Sequence, residues 1–466
     1  MRITVIGTGY VGLVTGVCLA EIGHEVTCVD HNEMKVENLN KGISPIYEAY
    51  LDDMLKRNVN ERRLCFTTSV EDAVKTSYVI FIAVGTPSLT DGNVDMSQVE
   101  AVAQCIGKSM DGYRIIVNKS TVPVGTTRKV RKIIEENLQD KISFDVVSNP
   151  EFLREGTAVH DTFHGDRIVI GSESEKSANI LKEIYKPLNL KTMVTDPESA
   201  ELIKYASNAF LATKISFINE MANICELAGG DVREVAKGMG MDRRIGDKFL
   251  HAGIGFGGAC FPKDVKGLIK IGENLGYDFK IIKQTLVVNQ QQREKVIKIL
   301  ESRFKNLEEI HVAILGLAFK AGTDDIREAP ALFIMEELLK RGAKVRAYDP
   351  IAMDNMRKEL HDPVQYVSNP YQAVKDADAL LILTEWRDFQ ELSIRKIRGL
   401  MKHRVMIDGR NIFDGKSMRE KGFEYHGIGV CSKEILVPNY AQDICMTSHE
   451  NTTEKRSAFN PLFHLQ

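Results

Sequence analysis

The stretch FGGACFPKD, Phe256 to Asp264, sets one cysteine between a glycine pair and a Pro-Lys-Asp triplet. A thiol is inert as a small core hydrophobe and reactive as a thiolate beside positive charge. Lys263 near Cys260 favours the reactive form, and Asp264 adds a carboxylate four residues beyond the cysteine. A second chemical signal stands at the N-terminus, where Gly7, Gly9 and Gly12 of IGTGYVG fit G-x-G-x-x-G, with Tyr10 and Val11 between the last two. The first glycine permits a tight turn and the second lets the backbone approach a pyrophosphate. The third allows close packing of a helix whose N-terminus faces the phosphates. Asp30 ends the next strand, 18 residues beyond Gly12. Such an acid bonds an adenosine ribose 2′-hydroxyl and repels a 2′-phosphate, so the cofactor expected is NAD rather than NADP.

A third group of residues lies near the other end of the chain. GLAFKAGT offers Gly316 and Gly322 but sets Phe319 and Lys320 where a dinucleotide loop would carry glycines. A lysine at a strand end suits a diphosphate, and Arg410 in DGRN closes another strand of the same region. A nucleotide diphosphate carrying a further group is the better expectation there than a second NAD. No metal site is called for.

These residues need a scaffold. With 466 residues the chain exceeds what one core supports, so several domains are expected. Hydrophobic content of 43%, charged content of 27% and a net charge of −3 describe an ordinary globular protein and give no case for nucleic acid or an anionic membrane. KVRK at 129–132 and DRR at 242–244 are short solvated clusters. No apolar run approaches the ~20 residues that span a bilayer. Four glycines in MRITVIGTGYVGLVTGVCLA argue for a buried strand and turn rather than a signal peptide. Cysteines at 18, 28, 65, 105, 225, 260, 431 and 445 form no CxxC and no framework, as for reduced thiols in the cytoplasm.

Strand candidates RITVIG, EVTCVD (25–30), YVIFIAVG (78–85), RIIVNKS (114–120), DVVSNPE (145–151) and RIVIGS (167–172) alternate with helical segments. Runs apolar on both faces predict a parallel sheet covered by helices. After Asp196-Pro197 a long uninterrupted helical pattern runs to about Leu227, and a second helical stretch from about Val265 to Ile299. Alternation returns at 311–319, 344–350, 379–386 and 404–411. The fold class expected is α/β, with two doubly wound Rossmann-like domains joined by a helical central domain containing one long helix. The divisions are 1–196 for NAD, 197–305 for the helical, dimerising part, 306–438 for the sugar nucleotide, and 439–466 as a polar tail.

Taken in order, GTGYVG, VGTP (84–87), STVPVGTT (120–127), NPEFLREG (149–156), ELIKYASNAF (201–210), FGGACFPKD and GLAFKAGTDDIRE resemble the UDP-glucose/GDP-mannose dehydrogenase family from Met1 to about Pro438. Phe261 after Cys260 resembles the UDP-glucose branch, since GDP-mannose members more often read CLPKD. The resemblance implies oxidation of a primary alcohol of UDP-glucose to a carboxylate, with two hydride transfers to NAD. An aldehyde has no hydride to give until a nucleophile adds to its carbonyl. A Cys260 thiolate would form a thiohemiacetal, then a thioester that water cleaves. Lys204 and Asn208, four apart on the long helix, share a face and suit an alkoxide or tetrahedral oxyanion.

Thr121, Glu151 and Asp264 are the candidates for handling the hydroxyl proton and the water, and the division among them stays open. Family likeness places substrate contacts at Phe152, Leu153, Arg154 and Glu155, at Phe249, Leu250, His251, Ala252 and Gly253, and at Gly257 and Lys320. It places NAD contacts at Val11, Asp30, Lys35, Thr86, Thr121, Glu155, Lys263 and Arg327. Arg244 would reach a neighbouring subunit's substrate, which implies a homodimer or higher homo-oligomer. Three alternatives stay in view: a GDP-mannose or other nucleotide-sugar 6-dehydrogenase, a two-electron dehydrogenase that leaves Cys260 without a task, and a non-catalytic nucleotide-sugar/NAD-binding module.

Overall fold

The computed structural model describes residues 1–360 and 363–430, so the polar tail expected at 439–466 lies outside the described residues. In the first part, eight strands form one sheet. They are β1 (Arg2–Ile6), β2 (Glu25–Val29), β3 (Leu64–Thr67), β4 (Val79–Ile82), β5 (Arg114–Asn118), β6 (Phe144–Ser148), β7 (Ile168–Gly171) and β8 (Thr192–Thr195), ordered β3-β2-β1-β4-β5-β6-β7-β8. The pairings from β3 to β6 are parallel, and helices bury both faces, around Leu13, Val17 and Leu181 on one side and Val99, Ile106 and Ile134 on the other. The sheet is not wholly parallel: β7 meets β6 antiparallel through Ser148 and Gly171, and β8 runs with β7. That reversal was not expected. The strands β3 and β8 also escaped the sequence reading, because LCFT and TMVT are short and partly or largely exposed.

The middle is helical. The helix Pro197–Ala228 opens on Asp196, whose carboxylate accepts from the Ser199 amide, with Pro197 in its first turn. It closes on Gly229 at φ +79, the left-handed conformation that glycine adopts without cost. The second helical stretch is in fact two helices, Phe261–Asn274 and Lys280–Phe304. Gly276 at φ +80 takes the chain through the turn between them. Both pack against the long helix around Tyr205, Ala209, Val265 and Leu268.

The last part is a six-stranded parallel sheet of β9 (His311–Leu315), β10 (Lys344–Tyr348), β11 (Gln365–Tyr366), β12 (Ala379–Ile382), β13 (Val405–Asp408) and β14 (Glu424–Gly427), ordered β11-β10-β9-β12-β13-β14. The crossovers on either side of β9 leave a switch point at the C-terminal ends of the strands, as between β1 and β4 in the first sheet. In open α/β sheets ligands bind at such ends. Ile218, Ala222 and Val296 from the helical middle share one core with Val312 and Ile314 of the second sheet.

Candidate active site

The glycine loop has the form that a pyrophosphate needs. Gly7 sits at φ +99 against Ala83, and a Cβ on Gly12 would lie 1.9 Å from the Gly7 carbonyl oxygen. A Cβ on Gly9 would meet nothing within 4 Å, so the approach to the N-terminus of helix Tyr10–Glu21 is open, and no side chain caps that end. Asp30 follows β2 and accepts from Thr8 Oγ1 at 2.5 Å and from Lys35 Nζ at 2.8 Å. Burial alone would raise this carboxyl, but the bonds from Lys35, Thr8 and the Asn32 amide hold it down at about 2. An acid kept ionised beside an open helix N-terminus fits NAD, and these residues would hold its adenosine and pyrophosphate. Thr86 is tied to the same side, its hydroxyl donating to the Thr121 carbonyl at 2.9 Å.

Cys260 caps the helix Phe261–Asn274, with Pro262 in the first turn and the Asp264 amide donating to its carbonyl at 2.8 Å. Across from it, the long helix presents Lys204 and Asn208. Lys204 Nζ lies 2.7 Å from Glu151 Oε1, and Asn208 Nδ2 lies 2.6 Å from Asp264 Oδ2. The other Asp264 oxygen takes Lys263 Nζ at 2.6 Å. The other Glu151 oxygen takes the Leu153 amide at 2.6 Å. Cys260, Lys204, Asn208 and Glu151 all line one cavity of about 580 Å³, together with Phe152, Leu153, Arg154, Glu155, Phe249, Gly257 and Lys320.

The electrostatics correct one expectation. Burial is the largest influence on the Cys260 thiol and pushes it up to about 12; Glu151 raises it further while Lys204 opposes. Lys263 gives its ammonium to Asp264 rather than to the sulfur. The resting residue is therefore a thiol, not the thiolate that its sequence neighbours suggested. Burial would also raise Glu151, but the Lys204 charge and hydrogen bond overcome it and hold the carboxyl below its usual range. Burial would depress Lys204, and the charges of Glu151 and Asp264 raise it instead.

Other expected residues fall in several places. Glu155 meets Arg327 at 3.0 Å, and Arg327 also holds Asp325, so one guanidinium joins the loop after β6 to the loop after β9. Tyr10 donates to Glu48, and the Gly156 amide donates to both, at 2.6 and 2.8 Å. Leu250 and Ala252 bury their side chains in the core, and Gly253 gives its amide to Asn219 at 2.9 Å, so contacts there fall to backbone. His251 is exposed and does not line the cavity. Arg244 is 89% exposed, paired with Asp242 and away from the cavity. Arg410 is not a free cation. Its guanidinium donates to the carbonyls of Leu383, Gly255 and Phe319 and so fastens the 255–258 loop to the second sheet. Lys320 lines the cavity without such ties, and burial depresses it.

Some residues the sequence reading missed. Glu201, one turn before Lys204, accepts from the Gly125 amide at 2.6 Å and from the Thr127 amide at 2.8 Å, holding the STVPVGTT loop on the long helix. Arg167 stacks 3.5 Å over Phe152. Lys119 and Asn149 line the cavity behind Glu151. Only Lys119, a cation ending the apolar run RIIVN, carried a readable signal.

Comparison with known proteins agrees with this geometry. The family model described as the UDP-glucose/GDP-mannose dehydrogenase NAD binding domain matches residues 1–189, its central domain 198–291 and its UDP binding domain 313–415. The chain is 50% identical over 428 residues to UDP-glucose 6-dehydrogenase TuaD of Bacillus subtilis, covering 92% of this chain and 93% of that protein. It is 44% identical to the UDP-glucose 6-dehydrogenase of Pseudomonas aeruginosa, covering 92% and 97%. Among solved structures, a UDP-glucose dehydrogenase from Pyrobaculum islandicum is similar at a TM-score of 0.87 and 41% identity, covering 92% and 97%. A UDP-D-ManNAc dehydrogenase from Pyrococcus horikoshii gives a TM-score of 0.82 at 31% identity, covering 92% and 99%.

Proposed function

The chain belongs to the UDP-glucose/GDP-mannose dehydrogenase family, and from that premise we propose that it oxidises C6 of UDP-glucose from alcohol to carboxylate. The observation that carries this reading is the convergence of Cys260, Lys204, Asn208 and Glu151 on one cavity. NAD, when bound, accepts a hydride from C6 in each of the two oxidations. The protein's own residues do the rest. Lys204 and Asn208 present an ammonium and an amide to the oxygen on C6, where negative charge builds as the alcohol proton leaves and again when a nucleophile adds.

Cys260 adds as a thiol whose proton passes to the carbonyl oxygen, since burial keeps the free thiolate scarce. The resulting thiohemiacetal carbon bears the hydrogen that the second oxidation removes, leaving a thioester. Of the three candidate bases Glu151 alone lines the cavity. Asp264 is 1% exposed, does not line the cavity and holds Asn208 and Lys263, and so positions rather than accepts. Glu151 then takes a proton from water as the water oxygen bonds the thioester carbon, and returns that proton to the Cys260 sulfur as the C–S bond breaks, which restores the thiol.

Lys320 at the cavity edge is suited to the diphosphate. Leu202, Phe210, Phe217 and Ile224, all exposed along the long helix, support a homodimer through that face. Among the described residues no helix is long and apolar enough to cross a membrane. A cytoplasmic location is part of the proposal, and its support is that nucleotide sugars and NAD are met there.

The test is the number of NADH formed per UDP-glucose consumed, with sugar limiting. Two supports the four-electron route. One makes the aldehyde the product and Cys260 a structural residue. None turns the search to GDP-mannose and other nucleotide sugars.

A further inference from the structure

Lys119 directly follows β5 and lines the active-site cavity together with Glu151. Its hydrogen-bond partner is neutral: Nζ donates to Asn149 Oδ1 at 3.1 Å. That oxygen is fixed on purpose-built supports, since it also accepts from the Tyr185 hydroxyl at 2.6 Å while Asn149 Nδ2 donates to the Val169 carbonyl at 2.7 Å. The Lys119 ammonium lies 5.6 Å above the Tyr185 ring. Among the described residues no carboxylate lies within ion-pair distance of it. A lysine kept in such surroundings is expensive, and an apolar side chain would fill the space at less cost.

What the position offers is charge. Glu151 feels two ammonium groups, Lys204 in hydrogen-bond contact and Lys119 in the same cavity without contact, and both pull its carboxyl down. Lys204 has two anions to serve. When the tetrahedral oxyanion forms on the thioester carbon, the Lys204 ammonium is drawn to it, and its hold on Glu151 weakens at the moment Glu151 must be ionised to take a proton from water. A buried carboxylate that loses its one hydrogen-bonded cation and keeps only the Leu153 amide is pushed toward protonation.

We propose that Lys119 is a positioning residue for thioester hydrolysis: its ammonium, anchored by Asn149, keeps Glu151 a carboxylate while Lys204 serves the oxyanion. The proposal rests on Glu151 being the base for that step. The other titratable groups that line this cavity, besides Lys204, are Tyr185, Cys18 on helix Tyr10–Glu21, Cys260, the acids Glu155, Asp161 and Asp166, His164, and the cations Arg154, Arg167, Lys248 and Lys320. Burial lifts Cys18 and Tyr185 far above neutrality, so neither carries charge there. Burial also depresses Lys119 itself to about 8, with Glu151 opposing, which leaves it largely protonated at neutral pH.

The experiment follows NADH after rapid mixing of enzyme with saturating UDP-glucose and NAD, for K119M, K119Q, K119R and E151Q. In K119M and K119Q both oxidations should run and hydrolysis should lag. The expected record is a burst of two NADH per site, a steady rate lower by roughly tenfold, and an acyl-enzyme visible by intact mass. The acid limb of the steady rate should move up by about one pH unit, as when a neighbouring positive charge is lost. K119R should restore most of the rate. K119Q can keep the Asn149 hydrogen bond, so it carries the test if K119M fails to fold. A fall of equal size in all three Lys119 variants, with no burst and no moved limb, overturns the proposal. E151Q separates the premise: a burst there with none in K119M and K119Q sinks only the role of Lys119, whereas no burst in E151Q removes Glu151 as the base.

Discussion

The Lys204 ammonium and the Glu151 carboxylate meet at 2.7 Å with side chains 3% and 5% exposed, an ion pair closed off from bulk water inside the active site. Removing one partner of such a pair leaves the other charge uncompensated, at a cost of about 3–5 kcal/mol. Lys204→Ala should therefore lose stability of that order and turnover by roughly 10²–10³-fold, while NAD affinity stays close to wild type. Equal losses in turnover and NAD affinity would assign Lys204 to the framework instead. The pH dependence of stability supplies a second reading. In the wild type the Glu151 carboxyl is held below its unfolded value, so its contribution is present above that value and lost as pH falls through the folded one. Without Lys204, burial raises the folded value. Over about pH 5–7 the Glu151 contribution to melting temperature should then be flat in the wild type, having been lost only below its unfolded value, and should fall with rising pH in Lys204→Ala, once the other carboxylates common to both are subtracted.

Cys260 offers a test that needs no turnover. A thiol pushed up to about 12 is almost wholly protonated at neutral pH, and alkylation proceeds through the thiolate. Inactivation by iodoacetamide should quicken about tenfold per pH unit between roughly pH 7 and 9 with no plateau, and UDP-glucose should slow it. A plateau near pH 7 would mean an activated thiolate at rest and a different first step. Cys260→Ser should abolish net acid formation while sugar-nucleotide binding, followed by calorimetry, survives. Wild-type glucuronate formation in that variant would end the covalent route.

The residues that announce chemistry in the sequence are those whose types are odd for their surroundings. Cys260 between a glycine pair and Pro262, and Lys204 and Asn208 in an apolar helical run, were visible for that reason, and the structure brings them to one cavity. The sequence did not reveal how charges are shared across elements. Lys263 stands near Cys260 in the chain but turns to Asp264, and Arg410 looks like a phosphate cation until its three backbone carbonyls are seen. Local pattern cannot say which partner a long cationic side chain finds. The same limit hid the reversal at β7, because a strand's apolar run is alike in either direction. It also hid Glu201, which acts on a segment 74 residues away in sequence, and the partner of Lys119, Asn149, 30 residues on.

Gly156 joins the two halves of the cleft and gives a prediction with its own control. It lies at φ +81, and a Cβ there would fall 2.4 Å from the Gly322 carbonyl oxygen on the loop of the second sheet. Its amide donates to the Tyr10 hydroxyl at 2.6 Å and to Glu48 at 2.8 Å, so it also touches the cofactor loop. Gly156→Ala should force the two loops apart, because the atom in the way is backbone and cannot rotate aside. Gly92 has nearly the same conformation, φ +85, but a Cβ there meets nothing within 4 Å. Gly92→Ala should therefore carry only the left-handed backbone cost of about 1–2 kcal/mol, with the Michaelis constants unchanged. Gly156→Ala should be less stable than that and should also raise the KM for UDP-glucose by roughly tenfold or more, one such factor being about 1.4 kcal/mol of lost binding. If the two variants lose the same stability and both keep wild-type kinetics, the contact between Gly156 and Gly322 does not set the cleft.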